Sequence, residues 1–196
     1  MSQKSITAIL ISLGICLFIS FTAFSFYKET RKESLPVLGQ VRNFHLLDEQ
    51  GRNFSLGSLQ GEIWIANFFF TTCSDICPIM SRNMAALHRT FAMVDGVSLV
   101  SITVNPENDS SQVLNEYARK YKADTDKWHF LTGPRTQIKE LAVESFKLGS
   151  VDEPVFHSAQ FALVDRQGMI RGYYDGVQSG EVSQLFKDVS LLLKEQ

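Results

Sequence analysis

Residues 63–78 read IWIANFFFTTCSDICP, and this stretch decides the fold. Its first eight residues are almost continuously apolar, which is typical of a strand that is covered on both faces. Cys73 and Cys77 follow directly, and Pro78 favours the first turn of a helix, where its missing N–H costs nothing. The stretch therefore predicts a buried strand, a cysteine-bearing segment and a helix in immediate succession.

Downstream of this stretch, predicted helices alternate with predicted strands. The first helix carries apolar side chains at the spacing of one buried stripe: Met80, Met84, Leu87, Phe91 and Val94. The later elements are a strand over 97–104, a helix over 110–121, a strand over 128–131, a helix over 135–148, strands over 159–165 and 169–174, and a helix through 182–192. A tight turn joins the last two strands, so they are predicted to form an antiparallel pair.

Upstream of the stretch, two short apolar segments flank a turn. Phe44 to Leu47 and Phe54 to Leu56 enclose a polar turn that ends in Gly51, and this is the pattern of a β-hairpin. The complete order, β-β-β-α-β-α-β-α-β-β-α, places helices on both faces of a central mixed sheet. We therefore predict an α/β, thioredoxin-like fold with an N-terminal hairpin extension and with its site at the cysteine pair.

The N-terminal segment has a different character. Residues 6–26 form a 21-residue run without a charged side chain, which as a helix spans about 31 Å and matches a hydrocarbon core of about 30 Å. A cleaved secretory signal would have an apolar region of only about 7–15 residues. We therefore predict an uncleaved transmembrane anchor over 1–27, a polar tether over 28–40 and the thioredoxin-like domain over 41–196.

Composition and charge narrow the range of functions. The chain has 196 residues, 44% hydrophobic and 20% charged, which suits one globular domain with an appendage. Its formal net charge is −2, so the basic footprint of a nucleic-acid-binding protein is absent from the sequence. A domain of this size buries enough surface to fold without a structural disulfide or metal.

The cysteine pair lies where thiol chemistry is favoured. Helix N-termini carry partial positive charge and free N–H groups, which stabilise the thiolates of Cys73 and Cys77. Positions i and i+4 of a helix lie about 6 Å apart, so the pair is expected either to close a disulfide or to bind a soft metal ion. A purely structural bridge across so short a loop would stabilise the fold little. Cys16, within the apolar segment, is predicted to be inert.

Several motifs together resemble the Sco/SenC family of copper-binding assembly factors for cytochrome c oxidase, over about residues 40–195. They are FFFTTCSDICP at 68–78, the Val113-Leu114-x-x-Tyr117-Ala118 pattern, and Phe156-His157-Ser158-Ala159. The resemblance implies that Cys73, Cys77 and His157 bind copper as Cu(I) or Cu(II), and that Cys73 and Cys77 form a disulfide. In this chain Phe156 and Asn105 stand where many relatives carry Asp.

The resemblance also implies a function and a location. We expect a membrane-anchored copper metallochaperone that receives copper from a donor protein and passes it to the copper-bearing subunit of cytochrome c oxidase. The expected location is the bacterial inner membrane, with the domain facing the periplasm. The alternative is an enzyme, a thiol–disulfide oxidoreductase that uses Cys73 and Cys77 to reduce the copper-ligand cysteines of a target.

Other side chains near the motif have less specific interpretations. His45, His88 and His129 are predicted to be surface or half-buried residues, with His88 on the polar side of its helix. Met80 and Met84 fit core packing better than metal ligation. Asp75, between the cysteines, is expected either to cap the helix or to tune the thiolates.

Overall fold

The structure is a computed structural model that describes Gly14 and residues 20–22, 34–148 and 158–195. The chain divides into two units, Met1–Ser34 and Leu35–Gln196. The predicted anchor lies almost wholly outside the described residues, and the few described there are helical. Among the described residues, no helix is both long and apolar enough to cross a membrane.

The second unit contains the predicted succession of strands and helices. In chain order its described elements are β1 (Gly39–Gln40), β2 (His45–Leu47), β3 (Asn53–Ser55), a 3-10 helix (Leu56–Leu59), β4 (Ile63–Phe69), α1 (Cys77–Phe91), β5 (Val97–Thr103), α2 (Ser111–Lys120), β6 (Trp128–Leu131), α3 (Arg135–Glu140), a π-helical turn (Leu141–Ser145), β7 (Gln160–Val164), β8 (Met169–Asp175) and α4 (Ser179–Leu192). The predicted strands are confirmed to within a residue at each end.

The central sheet is mixed, as predicted. Its strand order is β1-β8-β7-β4-β5-β6. The three strands β4, β5 and β6 are parallel, whereas β7 is antiparallel to β4, and β8 and β1 continue that antiparallel half. The thioredoxin-like α/β architecture is therefore confirmed.

Two apolar cores lie on opposite faces of this sheet. Alternate residues of β4 point to opposite faces, so Ile63 and Ile65 join the core that packs against α1, α2 and α4. Trp64 and Phe68 join the other core, which packs against the β2–β3 hairpin and α3. Because β4 is buried on both faces, it holds the start of the cysteine segment firmly.

The segment before the hairpin differs from the sequence prediction, whereas the hairpin itself agrees with it. Residues 35–40, which the sequence places in the tether, lie in the folded unit, because the Leu38 N–H donates to the Ile170 carbonyl (2.8 Å) and β1 pairs with β8. The predicted hairpin is confirmed as a separate two-stranded sheet. It meets the central sheet through an antiparallel bridge between Leu47 and Thr132.

One edge of the sheet gathers the ends of several strands. The parallel strands β4 and β5 end there, with Phe69 opposite Thr103. The antiparallel strand β7 begins at the same edge, where Phe161 lies opposite Asn67. In α/β sheets the ligand crevice lies outside the carboxyl ends of the parallel strands, so this edge is the expected place for a site.

Candidate metal and thiol centre

The cysteine segment leaves β4 and folds back before the helix begins. The Cys73 N–H donates to the Phe70 carbonyl (3.2 Å), which closes a turn directly after the strand. Helix α1 starts at Cys77, with Pro78 in its first turn as predicted. Cys73 therefore lies in the loop before the helix and not on the helix itself. The two cysteines are thus not related by one turn of a helix, as the sequence prediction assumed.

The helix start is not capped by a side chain. The N-cap residue is Ile76, and it makes no side-chain capping bond, so the interpretation of Asp75 as a cap is wrong. Asp75 instead acts on the sulfur of Cys73 through its backbone, as part of a group of amides at the start of α1. These amides have no intrahelical acceptor, so they are free to bind an anion.

The two thiols shift each other's pKa but differ in environment. Burial alone raises the pKa of Cys73, but hydrogen bonds from the backbone and side chain of Cys77, and from the backbone of Asp75 and Ile76, bring it below its usual range. Burial raises the pKa of Cys77 to about 12; a backbone hydrogen bond from Phe70 opposes this shift, and the Cys73 sulfur adds to it. The thiolate form is therefore favoured at Cys73 relative to an ordinary cysteine and disfavoured at Cys77.

Exposure follows the same division. Cys73 is half-buried, whereas only 4% of Cys77 is exposed. Both are free thiols in the structure, so the predicted disulfide stays a prediction. A reagent or partner in solution therefore has access to Cys73, whereas Cys77 is almost wholly covered.

Aromatic and hydroxyl groups support the inner side of the pair. Ser81, one turn after Cys77 on α1, hydrogen-bonds the Tyr117 hydroxyl (2.8 Å). The Tyr117 ring packs on Phe69 at the end of β4, with centroids 5.1 Å apart. Burial raises the pKa of the Tyr117 phenol, so it stays protonated at neutral pH. These contacts connect α1, α2 and β4 directly beneath the cysteines.

The predicted third ligand is not described. His157, and Phe156 before it, lie outside the described residues, whereas Ser158 and Ala159 lie within them. Among the described residues, no three His, Cys, Asp or Glu side chains are grouped so that they could hold a metal ion. The structure therefore brings together two of the three predicted ligands and leaves the third untested.

The remaining candidates are placed away from metal ligation. Met80 and Met84 are fully buried, which confirms their interpretation as core residues. His45 is exposed and His129 is half-buried, as expected. The prediction for His88 is wrong, because its side chain is only 7% exposed and packs on Trp128, with ring centroids 5.9 Å apart.

Sequence reasoning missed one polar group close to the cysteines. Asp109 is fully buried and binds Thr71, two residues before Cys73. A signal for it exists in the sequence, because Asp109 follows β5 and the carboxyl ends of neighbouring parallel strands meet at one edge of a sheet.

Comparison with known proteins gives a consistent family. The family model described as SCO1/SenC matches residues 36–193. The SCO1 protein homolog of Bacillus subtilis is 35% identical over 160 residues, which cover 79% of this chain and 83% of that protein.

Solved structures agree with the sequence comparison. BsSco, described as a member of the Sco family of cytochrome c oxidase assembly proteins with a disulfide switch, is 33% identical, with a TM-score of 0.73 over 84% of this chain and 100% of that one. Arabidopsis thaliana ScoI, solved with copper bound, is 26% identical, with a TM-score of 0.66 over 81% of this chain and 99% of that one.

Proposed function

Because this chain belongs to the SCO1/SenC family, we propose that it is a membrane-anchored copper metallochaperone for cytochrome c oxidase assembly. The observation that carries the proposal is the pair of free thiols at the start of α1, half-buried Cys73 and buried Cys77, with the pKa of Cys73 lowered by surrounding hydrogen bonds. Soft thiolate ligands favour Cu(I), and two of them supply most of a low-coordinate site. The relative solved with copper bound supports the choice of metal.

We propose His157 as the third ligand, and the strand register supports it. In the antiparallel pairing of β7 with β4, Phe161 lies opposite Asn67 and Ala162 lies opposite Ala66. The chain that follows His157 therefore starts at the edge of the sheet where β4 ends and where Cys73 follows. An imidazole is an accepted ligand for copper beside thiolates.

The proposed transfer step follows from the difference in exposure between the sulfurs. Copper bound at this site is open to an acceptor on the side of half-buried Cys73, whereas Cys77 is covered. The acceptor we propose is the copper-bearing subunit of the oxidase, reached by exchange of one ligand at a time, and a separate donor protein loads the site.

The location is part of the same proposal. The uncharged 21-residue run at 6–26 supports a transmembrane anchor, and the family's connection with oxidase assembly supports the bacterial inner membrane. The domain is then proposed to face the periplasm, where an anchored chaperone meets a membrane-bound oxidase. The boundaries proposed are an anchor at 1–27 and a domain that follows a short tether.

The test is an anaerobic Cu(I) titration against a chromogenic chelator. The wild-type protein is expected to bind one Cu(I), and His157→Ala is expected to weaken binding about tenfold or more, because one of three ligands is lost. The matched control is His45→Ala, which removes an exposed histidine of the hairpin and is expected to leave the affinity unchanged. A wild-type protein that yields all its Cu(I) to a moderate chelator would contradict the copper function.

A second candidate function, thiol–disulfide oxidoreductase, is favoured by one specific observation. The pKa of Cys73 is lowered and that of Cys77 is raised, which is the arrangement of an attacking and a resolving thiol. Thiol–disulfide exchange needs no imidazole, so His157→Ala would keep full turnover with a disulfide substrate in that case. Loss of copper binding together with unchanged exchange would show that only copper binding depends on His157.

A further inference from the structure

Asp109 is a fully buried carboxylate close to the cysteine segment. It accepts a hydrogen bond from the Thr71 backbone N–H (3.1 Å) and another from the Thr71 hydroxyl (2.5 Å). A third hydrogen bond comes from the hydroxyl of Thr103. All three donors are uncharged. Their hydrogen bonds therefore offset only part of the free-energy cost of burying a carboxylate.

The position of these partners is informative. Thr103 is the last residue of β5 and lies opposite Phe69, the last residue of β4. Beyond this pair the two strands separate, and the chain from β4 turns towards Cys73. Asp109 lies at that point and connects the end of one strand to Thr71 in the departing loop. The carboxylate thus continues the pairing of β4 and β5 where their backbone bonds end.

The carboxylate is itself held in place. The Asp109 N–H donates to the Asn105 carbonyl (3.0 Å), and the Asn105 N–H donates to the hydroxyl of Thr103 (3.0 Å). The next residue, Ser110, is the N-cap of α2 and accepts a bond from Val113. Asp109 is therefore fixed by its own loop and by a helix start, and it can serve as a rigid support for Thr71.

We propose that Asp109 is a positioning residue of the cysteine site, which fixes the path of the loop that carries Cys73 by binding both the N–H and the hydroxyl of Thr71. The inference rests on the proposed function, since it concerns the same pair of thiols. In this role Asp109 preorganises the two thiols, both to close a disulfide and to bind Cu(I).

The consequence is measurable without copper. In glutathione buffer, the dithiol gives two electrons and two protons to one glutathione disulfide, and the products are the Cys73–Cys77 disulfide and two glutathione thiols. The equilibrium constant of this thiol–disulfide exchange depends on the effective concentration of one protein thiol near the other. Asp109→Ala frees the loop, so this constant is expected to fall about tenfold, and Cu(I) affinity is expected to fall by a similar factor.

Two further variants separate geometry from charge. Asp109→Asn keeps the shape, because its amide oxygen accepts from Thr71 and Thr103 while its NH2 group donates to the Thr71 hydroxyl. It is expected to stay within about threefold of wild type. Thr71→Val removes one hydroxyl and keeps the backbone bond, so its exchange constant is expected to lie between those of wild type and Asp109→Ala.

The matched control is Asp188→Ala. Asp188 is also buried and accepts a bond from the Tyr174 hydroxyl (2.6 Å), but it lies on α4 and contacts β8. The Asp188→Ala substitution is expected to lower the midpoint of thermal unfolding without changing the exchange constant. This control separates a loss of stability from a loss of positioning.

Three outcomes would overturn the inference. One is a folded Asp109→Ala protein whose exchange constant lies within about twofold of wild type. Another is an Asp109→Asn protein as impaired as Asp109→Ala, because the effect would then depend on the charge of Asp109 and not on its hold on Thr71. Where Asp109→Ala fails to fold, an unchanged constant in Thr71→Val overturns it. A wild-type protein that binds no Cu(I) contradicts the proposed function alone, because the glutathione measurement needs no metal.

Discussion

Two neighbouring thiols of this protein differ in both pKa and solvent exposure. The amides at the start of α1 stabilise the thiolate of Cys73, and burial keeps the proton on Cys77. The thiolate is the nucleophile and the metal ligand, so chemistry starts at Cys73 in either proposed function. Copper binding then requires Cys77 to release its proton as the metal arrives.

This difference predicts selective alkylation. Limiting iodoacetamide at neutral pH, added to the reduced protein, is expected to modify Cys73 about tenfold or more faster than Cys77, because only Cys73 is both partly exposed and thiolate-stabilised. Peptide mass spectrometry gives the two rates. In Cys73→Ser, Cys77 is expected to stay unmodified over the same period. Equal rates at both positions would contradict the assigned difference in pKa and exposure between the two cysteines.

Stability is expected to depend on pH through His88. Burial lowers the pKa of His88, and no described residue hydrogen-bonds its buried Nε2 atom. The unfolded chain therefore takes up the proton first as the pH falls through the ordinary histidine value of about 6.5. The free energy of unfolding is expected to decrease with falling pH across that value, until the pH passes the lowered pKa of the folded state.

The measurement is urea unfolding at a series of pH values from about 7.5 down to about 5. His88→Leu removes one titrating group and is expected to reduce this slope in part, because burial also lowers the pKa of His129, which remains. His45→Leu, on the exposed hairpin, is expected to keep the wild-type slope. An identical pH dependence in wild type and His88→Leu would rule out His88 as its source.

At the scale of elements, the π-helical turn after α3 leads the chain into the core that packs against the β2–β3 hairpin and α3. The turn Leu141–Ser145 leads into Phe146, which is fully buried. The Phe146 ring packs edge-to-face on Trp64 and Phe68 of β4, with centroids 5.8 and 5.5 Å apart. Its carbonyl accepts a hydrogen bond from the Tyr173 hydroxyl of β8 (2.7 Å).

Phe146→Ala is therefore expected to lower the free energy of unfolding by about 3–5 kcal/mol, because it leaves a cavity beneath β4. Chemical denaturation measures the change. Tyr173→Phe, which removes only the hydrogen bond to the same residue, is expected to cost about 1 kcal/mol. A loss for Phe146→Ala no greater than that for Tyr173→Phe would mean that the ring is not a core contact.

Most elements can be predicted from the sequence, because their apolar residues recur with the period of a strand or helix. Strand β1 cannot, since Gly39 and Gln40 carry no alternating pattern and pair only because β8 offers a free edge. The burial of His88 was predictable: it lies four residues after Met84 and three before Phe91, within the buried stripe of α1.

The candidate site was predicted in part for a similar reason. Cys73 and Cys77 are adjacent to a strongly apolar strand, so local pattern alone places them. The contact between Asp109 and Thr71 joins positions 38 residues apart and appears only once the register of β4 and β5 is known. The role of His157 depends equally on a distant pairing, and it stays a prediction.

At the scale of the whole folded unit, Arg171 fixes residues 35 and 36, which the sequence prediction assigned to the tether. Its guanidinium binds the Asp165 carboxylate (2.8 Å) and that of Glu195 (3.2 Å). It also donates to the carbonyls of Leu35 and Pro36. A single buried cation thus joins the first and last described segments of this unit to β8.

Arg171→Met is expected to lower the free energy of unfolding by about 3–5 kcal/mol, because it leaves the Asp165 carboxylate buried without its partner. Hydrogen exchange is expected to accelerate at Leu38, whose N–H bonds to β8. Arg42→Met breaks an ion pair whose side chains are 69% and 47% exposed and is expected to cost no more than about 0.5 kcal/mol. Equal losses in the two variants would contradict the central role of Arg171.

The β2–β3 hairpin also limits association between molecules through the edge of the central sheet. Strand β6 is the last strand of the central sheet, and an uncovered outer strand is a template on which a second molecule can add its own strand. Here the Glu49 carboxylate accepts the Phe130 N–H (3.0 Å), and Leu47 pairs with Thr132 just beyond β6. Intermolecular sheet growth would first have to displace this hairpin, so even many copies crowded together on a surface are protected from fusing into fibrils along this side.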